Sequence, residues 1–264
     1  MLEICMLASG SSGNAIYVAT EQTKLLIDAG LSGKKLAAAL TEIDVDPFSL
    51  DALLLSHDHN DHTCGAGIMA RRYRMPLYAT GPTWQAAACK MGPVPEEMCR
   101  TLPSFGEMQF ADLTVESFPI PHDAAGPVGF VFRQAEKSIA LVTDLGMITP
   151  DIFQMLQNVN CLVLEANHDE EMLKNGTYPW PLKKRILSSR GHLSNHHAAD
   201  FLTDIISPVT THVVLAHLSE HNNLPQLAFN TVGEKLTTAG CEPGRAISLE
   251  VARRFGPSCH ICLT

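Results

Sequence analysis

The run His57-Asp58-His59-Asn60-Asp61-His62 places three imidazoles and two carboxylates directly after the apolar segment Leu53-Leu54-Leu55-Ser56. If that segment is a β-strand, side chains alternate with period two, so His57 and His59 point to one face. Asp61 and His62 then lie just beyond the strand, where the chain turns into a loop or a helix start. Donor pairs offset in this way suit two neighbouring metal ions better than one. Imidazole and carboxylate together favour zinc, iron or manganese over calcium. A solvated polar loop is the ordinary alternative, and the rest of the chain must decide between the two.

A two-ion site needs donors beyond one motif, and the useful pattern is a polar residue placed just after an apolar strand. His122 follows Phe118-Pro119-Ile120-Pro121, and Asp144 follows Ile139-Ala140-Leu141-Val142-Thr143. Glu165 follows Leu162-Val163-Leu164, and His217 follows Val213-Val214-Leu215-Ala216. A lone histidine at a strand end is commonly structural. Four such positions in addition to the first motif point to strand ends that meet at one cleft.

Apolar runs at Ile4–Leu7, Ala15–Val18, Lys24–Ile27, Leu53–Ser56, Leu77–Ala79, Leu113–Ile120, Val128–Phe132, Ile139–Thr143, Cys161–Leu164, Val213–Leu215 and Ile247–Val251 read as strands. Helical spacing appears at Gly33–Leu40, Gly67–Tyr73, Thr83–Lys90, Asp151–Gln157, Asn195–Ile205 and Leu227–Thr238. In the Asn195–Ile205 segment, Ala198, Phe201, Leu202 and Ile205 are spaced for one buried face. Strands come in groups with helices between and after them, which predicts an α+β architecture of two sheets sandwiched by outer helices. No composition break or linker divides the 264 residues, so one domain over 1–264 is expected.

The eight cysteines are scattered, and Cys259-His260-Ile261-Cys262 is a lone C-x-x-C without a second pair, read as two ordinary thiols. The first residues lack the basic stretch of a signal peptide, so free thiols in a reducing cytoplasm are expected. No apolar run approaches the roughly 20 residues that span a bilayer, and no membrane partner is expected. The formal charge of −9 argues mildly against a general nucleic-acid binder, but two divalent cations would bring it to −5. Basic residues cluster at Arg71-Arg72-Tyr73-Arg74, at Lys183-Lys184-Arg185 with Arg190, and at Arg253-Arg254. Each cluster reads first as a solvated face.

With these residues placed, the chain resembles the metallo-β-lactamase-fold hydrolases from Leu7 to His217. His57-x-His59-x-Asp61-His62 matches their central motif, Asp28 their first motif, and His122, Asp144 and His217 their later ones. The resemblance implies an αββα sandwich of two mixed sheets and two divalent ions per chain, whether zinc, manganese or iron. It implies one ion on His57, His59 and His122, a second on Asp61, His62 and His217, Asp144 between them, and Asp28 orienting a ligand histidine. Pro121-His122-Asp123-Ala124-Ala125-Gly126-Pro127 departs from the H-T-P-G-H of the lactamases and glyoxalase-type thioesterases. Gly191-His192-Leu193-Ser194-Asn195 and Leu164-Glu165-Ala166-Asn167-His168 resemble motifs of the tRNA-processing and cyclic-phosphodiesterase branch. Together with Leu7-Ala8-Ser9-Gly10-Ser11-Ser12-Gly13-Asn14 and His122-Asp123, they resemble the YycJ (WalJ) type, a family of cytoplasmic bacterial 5′-to-3′ DNA exonucleases.

The expected activity is therefore phosphodiester hydrolysis by a metal-bound hydroxide, with nucleic acid, DNA above RNA, as the substrate. Asp61 is expected to orient the nucleophile as well as bind metal. His192 is the candidate general acid, and Glu165 the carboxylate that holds its tautomer; a helix cap and a structural carboxylate are the plainer roles for the two. Ser11, Ser12, Asn14 and His168 are candidate substrate contacts, although the Ser9–Asn14 stretch suits a simple hairpin turn equally well. Two other readings stay open: a hydrolase of small phosphodiesters or other esters with the same site, and a metal-binding regulatory protein.

Overall fold

The structure, a computed structural model, describes residues 1–264. The first half of the chain forms β1 (Leu2–Ala8), β2 (Ala15–Ala19), β3 (Lys24–Ile27), α1 (Gly33–Glu42), β4 (Ala52–Leu54), α2 (Asn60–Thr63), α3 (Ala66–Tyr73), β5 (Leu77–Ala79), α4 (Gly81–Met91) and β6 (Cys99–Thr101). The second half forms β7 (Gly106–Phe110), β8 (Leu113–Pro119), β9 (Val128–Gln134), β10 (Lys137–Val142), α5 (Pro150–Leu156), β11 (Cys161–Glu165), α6 (Glu170–Asn175), α7 (Trp180–Ile186), α8 (Asn195–Ile205), β12 (His212–Ala216), α9 (Pro225–Thr238), β13 (Ser248–Val251) and β14 (Ser258–Leu263).

Both halves use one plan. The first sheet has the order β14-β1-β2-β3-β4-β5-β6 and the second β13-β12-β11-β10-β9-β8-β7. In each, antiparallel hairpins give way to parallel strands, at β3 in the first sheet and β10 in the second. The parallel strands need crossover connections, and helices supply them. The apolar side chains fall into three layers. One lies between the sheets and contains Ile16, Leu54, Phe130 and Val163. The other two cover the outer faces, packing α1, α3 and α4 on the first sheet and α5, α8 and α9 on the second. This is the predicted two-sheet sandwich with mixed sheets.

Five elements lie outside the sequence reading: β6, β7, β14, α6 and α7. The strand before the histidine motif also ends earlier than expected, at Leu54 instead of Ser56. The reason is local: the Ser56 N–H leaves the ladder and donates to Asp28 Oδ1 at 2.8 Å. No helix is long and apolar enough to cross a membrane.

The carboxyl ends of the central strands collect at one edge of the sandwich. Asp28, Asp144 and His217 follow β3, β10 and β12, and all three take left-handed backbone, with φ of 59°, 59° and 55°. Such a conformation costs a non-glycine residue about 1–3 kcal/mol. In each case a dedicated acceptor holds the turned amide: the Leu54 carbonyl at 2.8 Å, Glu165 Oε1 at 3.1 Å and Ser9 Oγ at 2.8 Å. Gly30 answers a different need, since a Cβ there would lie 1.7 Å from the Asp61 carbonyl oxygen. Its absence lets the loop after β3 press against the α2 turn that carries Asp61 and His62.

Candidate active site

The His57–His62 run, the loop after β8 and the ends of β10, β11 and β12 converge on one cavity. His57, His59 and His122 bring donor atoms together, as do Asp61, His62 and His217, and as do His57, His62 and Asp144. Asp144 lies between the groups, with Oδ2 3.3 Å from His62 Nε2, and Oδ1 3.8 Å from His122 Nε2 and 3.5 Å from His217 Nδ1. All seven candidate ligands, three of them drawn from other strand ends far apart in sequence, therefore meet.

The ring orientations are set from behind. His62 Nδ1 lies 2.7 Å from Asp28 Oδ2, His122 Nδ1 3.2 Å from the Gly191 carbonyl, and His217 Nδ1 2.7 Å from Glu165 Oε1. His57 Nδ1 is 3.0 Å from Ser56 Oγ, whose hydroxyl reaches Asp28 Oδ2 at 2.8 Å. Asp28 thus aligns His62 directly and His57 through Ser56. With Nδ1 engaged as donor, each of these rings turns Nε2 inward. His59 differs: its Nδ1 lies 3.3 Å from His122 Nε2, close to the N···N edge of a tetrahedral zinc centre, about 3.3 Å.

Two observations fit this cluster to divalent cations. His57 Nε2, His217 Nε2 and Asp144 Oδ2 are buried and have no hydrogen-bond partner. The carboxylates also demand positive charge. Burial alone would depress His217, but Asp144, Asp61 and Glu165 around it hold it up at about 10. His62 is likewise raised well above its ordinary value against its burial, by Asp28 and Asp144. Asp144 is held well below the carboxylate range despite burial, by His217 and His62. Cations at the centre would take the place of those protons.

Glu165 is fully buried at the end of β11 and carries a double duty. Its Oε1 accepts from His192 Nδ1 at 2.9 Å, His217 Nδ1 at 2.7 Å and the Asp144 N–H at 3.1 Å. Its Oε2 accepts from the Leu193 and Leu145 N–H groups at 2.9 and 3.3 Å. Burial would raise this carboxyl, yet His192 and His217 hold it at about 2. His192 keeps some solvent access, 18 % at its side chain, and lies 4.0 Å from Asp144 Oδ1. Burial works against its positive charge, but Glu165 and Asp144 raise its pKa overall.

The cavity has a volume of about 220 Å³, below the roughly 300–1,000 Å³ usual for drug-sized ligands. Ser11, His59, Asp61, Asp144, Arg185 and His192 are among the residues that line it. The other expected substrate contacts fall elsewhere. Ser12 is exposed and does not line the cavity. Asn14 is buried at 3 % exposure beneath Asp61; it closes the Ser9–Asn14 turn through Gly10 and donates to the Asp61 carbonyl at 3.3 Å. His168 is 1 % exposed and also absent from the wall, with burial depressing it to about 4. Ser9, in the same turn, instead braces the His217 backbone.

Residues that the sequence left unassigned complete the wall. Tyr178, Leu182, Arg185 and Ile186 come from α7 and the segment before it. Arg185 pairs with Asp123, its Nη2 3.0 Å from Oδ1, and it is the single Lys or Arg on the wall. The basic cluster around it divides by role. Lys183 is buried and donates to the Lys174 and Gly176 carbonyls, and Arg190 donates to the His122 carbonyl. Asp58, inside the first motif, accepts from the Ala125 N–H at 2.8 Å and from Lys90 Nζ at 3.1 Å, which ties down the loop carrying His122.

The beta-lactamase superfamily domain matches residues 23–218 of the chain. Over 249 residues the chain is 40 % identical to exodeoxyribonuclease YycJ of Bacillus anthracis, covering 94 % of each protein. It is 42 % identical over 236 residues to exodeoxyribonuclease WalJ of Streptococcus pneumoniae serotype 2, covering 89 % of this chain and 88 % of the relative. Among solved structures, Zn²⁺-bound PqqB from Methylobacterium extorquens shares the fold with a TM-score of 0.71 at 17 % identity, over 99 % of this chain and all of that one.

Proposed function

The chain belongs to the metallo-β-lactamase superfamily and is a metal-dependent hydrolase, and from that premise we propose that it is a two-ion phosphodiesterase that digests DNA from 5′ ends. The observation that carries the reading is the pairing of a seven-donor cluster with a separate, carboxylate-held imidazole, His192, on the same cavity. The two relatives named exodeoxyribonucleases, matched over 94 % and 88 % of their length, support DNA as the substrate class. The protein acts in this reading as one domain over residues 1–264.

His57, His59 and His122 would hold one ion, Asp61, His62 and His217 the other, with Asp144 shared. The ions would supply an activated water and neutralise charge on the phosphoryl oxygens. The side chains do the rest. Asp61, at the cavity wall and in reach of both His62 and His217, orients the attacking water. Glu165 accepts the Nδ1 proton of His192, so His192 Nε2 faces the cavity and donates a proton to the leaving oxygen. The small, polar cavity admits a phosphodiester and little more, which leaves the remaining nucleotides to lie across its rim.

Arg185 is proposed as the phosphate contact on that rim. Arg185→Ala is expected to raise KM for DNA several-fold with little change in kcat, and to lower the salt slope of log KM by about 1. Steady-state kinetics at several salt concentrations reads this directly. An unchanged KM and slope would confine Arg185 to its pairing with Asp123.

The function itself is tested with purified, manganese-loaded protein and end-labelled DNA. Elemental analysis should approach two ions per chain, a chelator should abolish the activity, and a 5′-phosphate should favour degradation from that end. The cavity volume also admits a small diester, so bis-p-nitrophenyl phosphate and a thioester belong in the same experiment. Turnover of either with every nucleic acid left intact would replace the nuclease reading.

A further inference from the structure

Cys259-His260-Ile261-Cys262 lies in β14, and the alternation of the strand separates its two thiols. Cys259 points into the protein and is 8 % exposed, whereas Cys262 points outward. The strand geometry gathers a different set. Glu3 of β1 is the direct cross-strand partner of Cys262, and His260, two residues before Cys262, shares its face. Glu3 Oε2 lies 3.2 Å from His260 Nε2 and 3.7 Å from Cys262 Sγ. All three donor atoms fall within 4.8 Å of one another.

These separations suit a tetrahedral ion. Bonds of about 2.0–2.1 Å to nitrogen and oxygen and about 2.3 Å to sulfur require an N···O edge of about 3.3 Å and an S···O edge of about 3.5 Å. The soft thiolate and borderline imidazole, beside one hard carboxylate oxygen, select zinc over magnesium or calcium. We propose that Glu3, His260 and Cys262 form a peripheral site for a thiophilic divalent cation such as zinc, with water as the fourth ligand. Binding releases the Cys262 thiol proton to solvent. The site is separate from the catalytic cavity, which none of the three residues lines. Glu3 in β1 and Ser9 just beyond its end are six residues apart, about 20 Å at the rise of an extended strand. The ion would clip β14, an edge strand from the end of the chain, to β1 from its beginning.

Cobalt(II) titrated into the metal-free full-length protein tests this. The proposed catalytic donors are nitrogen and oxygen, so a thiolate-to-cobalt charge-transfer band in the near ultraviolet reports the peripheral site. Cobalt should also fill the two proposed catalytic positions, so binding should reach three equivalents per chain, with the band developing over just one of them. Cys262→Ser should lose the band and that equivalent while keeping its fold and its hydrolytic activity. His260→Ala should weaken cobalt binding at this site by more than about tenfold, as a ligand matters at least as much as the outer partners of a metal site. The exposed Cys89 serves as the control, and Cys89→Ser should leave the band intact. No thiolate band in the native chain, or an undiminished band in Cys262→Ser, would overturn the proposal and leave Glu3 as an acceptor of two ordinary hydrogen bonds.

Discussion

Glu165→Gln is expected to lower DNA hydrolysis by about 10²- to 10⁴-fold, the range for a lost general acid or base, and to weaken metal binding as well. Both oxygens of the native carboxylate accept from N–H donors, three on Oε1 and two on Oε2. An amide has only one oxygen, so either orientation turns its NH₂ toward at least two of those donors. The conflict reaches two rings. His192 and His217 both lose the negative charge that fixes their Nδ1 protons, and in the orientation with NH₂ toward the rings they lose the acceptor as well. Disturbing such an outer partner typically costs 10- to 100-fold in metal affinity. Excess metal should therefore restore part of the loss and leave the His192 part. Glu165→Asp, which keeps the charge on a shorter arm, should fall between the two. Single-turnover hydrolysis at increasing manganese, with circular dichroism to check folding, reads both components. A folded Glu165→Gln enzyme with native turnover and native metal affinity would reduce Glu165 to a structural carboxylate.

The candidate site was legible because its proposed donors sit where an apolar strand stops. His122, Asp144, Glu165 and His217 each follow such a run, and the period-two alternation of a strand makes its end recognisable in one dimension. The sequence does not show how the turned residues are held. The left-handed backbone at Asp28, Asp144 and His217 depends on the Leu54 carbonyl, Glu165 and Ser9, which are distant in sequence. The shared use of Glu165 by His192 and His217 comes from parallel register, since Glu165 pairs with Ala216 and so lies beside His217.

The unread elements have separate physical causes. β7 is an edge strand whose Met108 and Phe110 are only half-buried, so its apolar pattern is faint. β14 alternates cleanly, with Cys259, Ile261 and Leu263 buried, but over six residues that alternation coincides with a C-x-x-C spacing that ordinary thiols explain equally well. α6 has only six residues, and α7 opens on a Trp-Pro step and buries Lys183 beside Ile186, so neither shows an apolar helical period. That blind spot matters for function, because α7 supplies Arg185 and part of the cavity wall. Composition is equally silent on which way a polar turn faces. Ser9–Asn14 is rich in glycine and serine, yet Ser9 and Asn14 point into the protein, where they brace His217 and Asp61, and only Ser11 reaches the cavity.

His192→Ala should separate proton transfer from metal binding. His192 is proposed to donate to the leaving oxygen and is not counted among the seven ligands, so the variant should keep both ions. Its chemical rate on DNA should fall by about 10²- to 10⁴-fold. His59→Ala removes a ligand instead, and should lose metal and activity together. The leaving group supplies the sharper discrimination. A deoxyribose oxygen departs as a poor leaving group and needs a proton, whereas p-nitrophenolate is stable without one. The defect of His192→Ala should therefore shrink on bis-p-nitrophenyl phosphate relative to DNA. Glu165→Gln should show the same leaving-group dependence, since it acts on the same ring, but with a metal defect added. A His192 variant that retains its metals and loses equally on both substrates would make His192 a positioning residue, and the proton would then have to come from water.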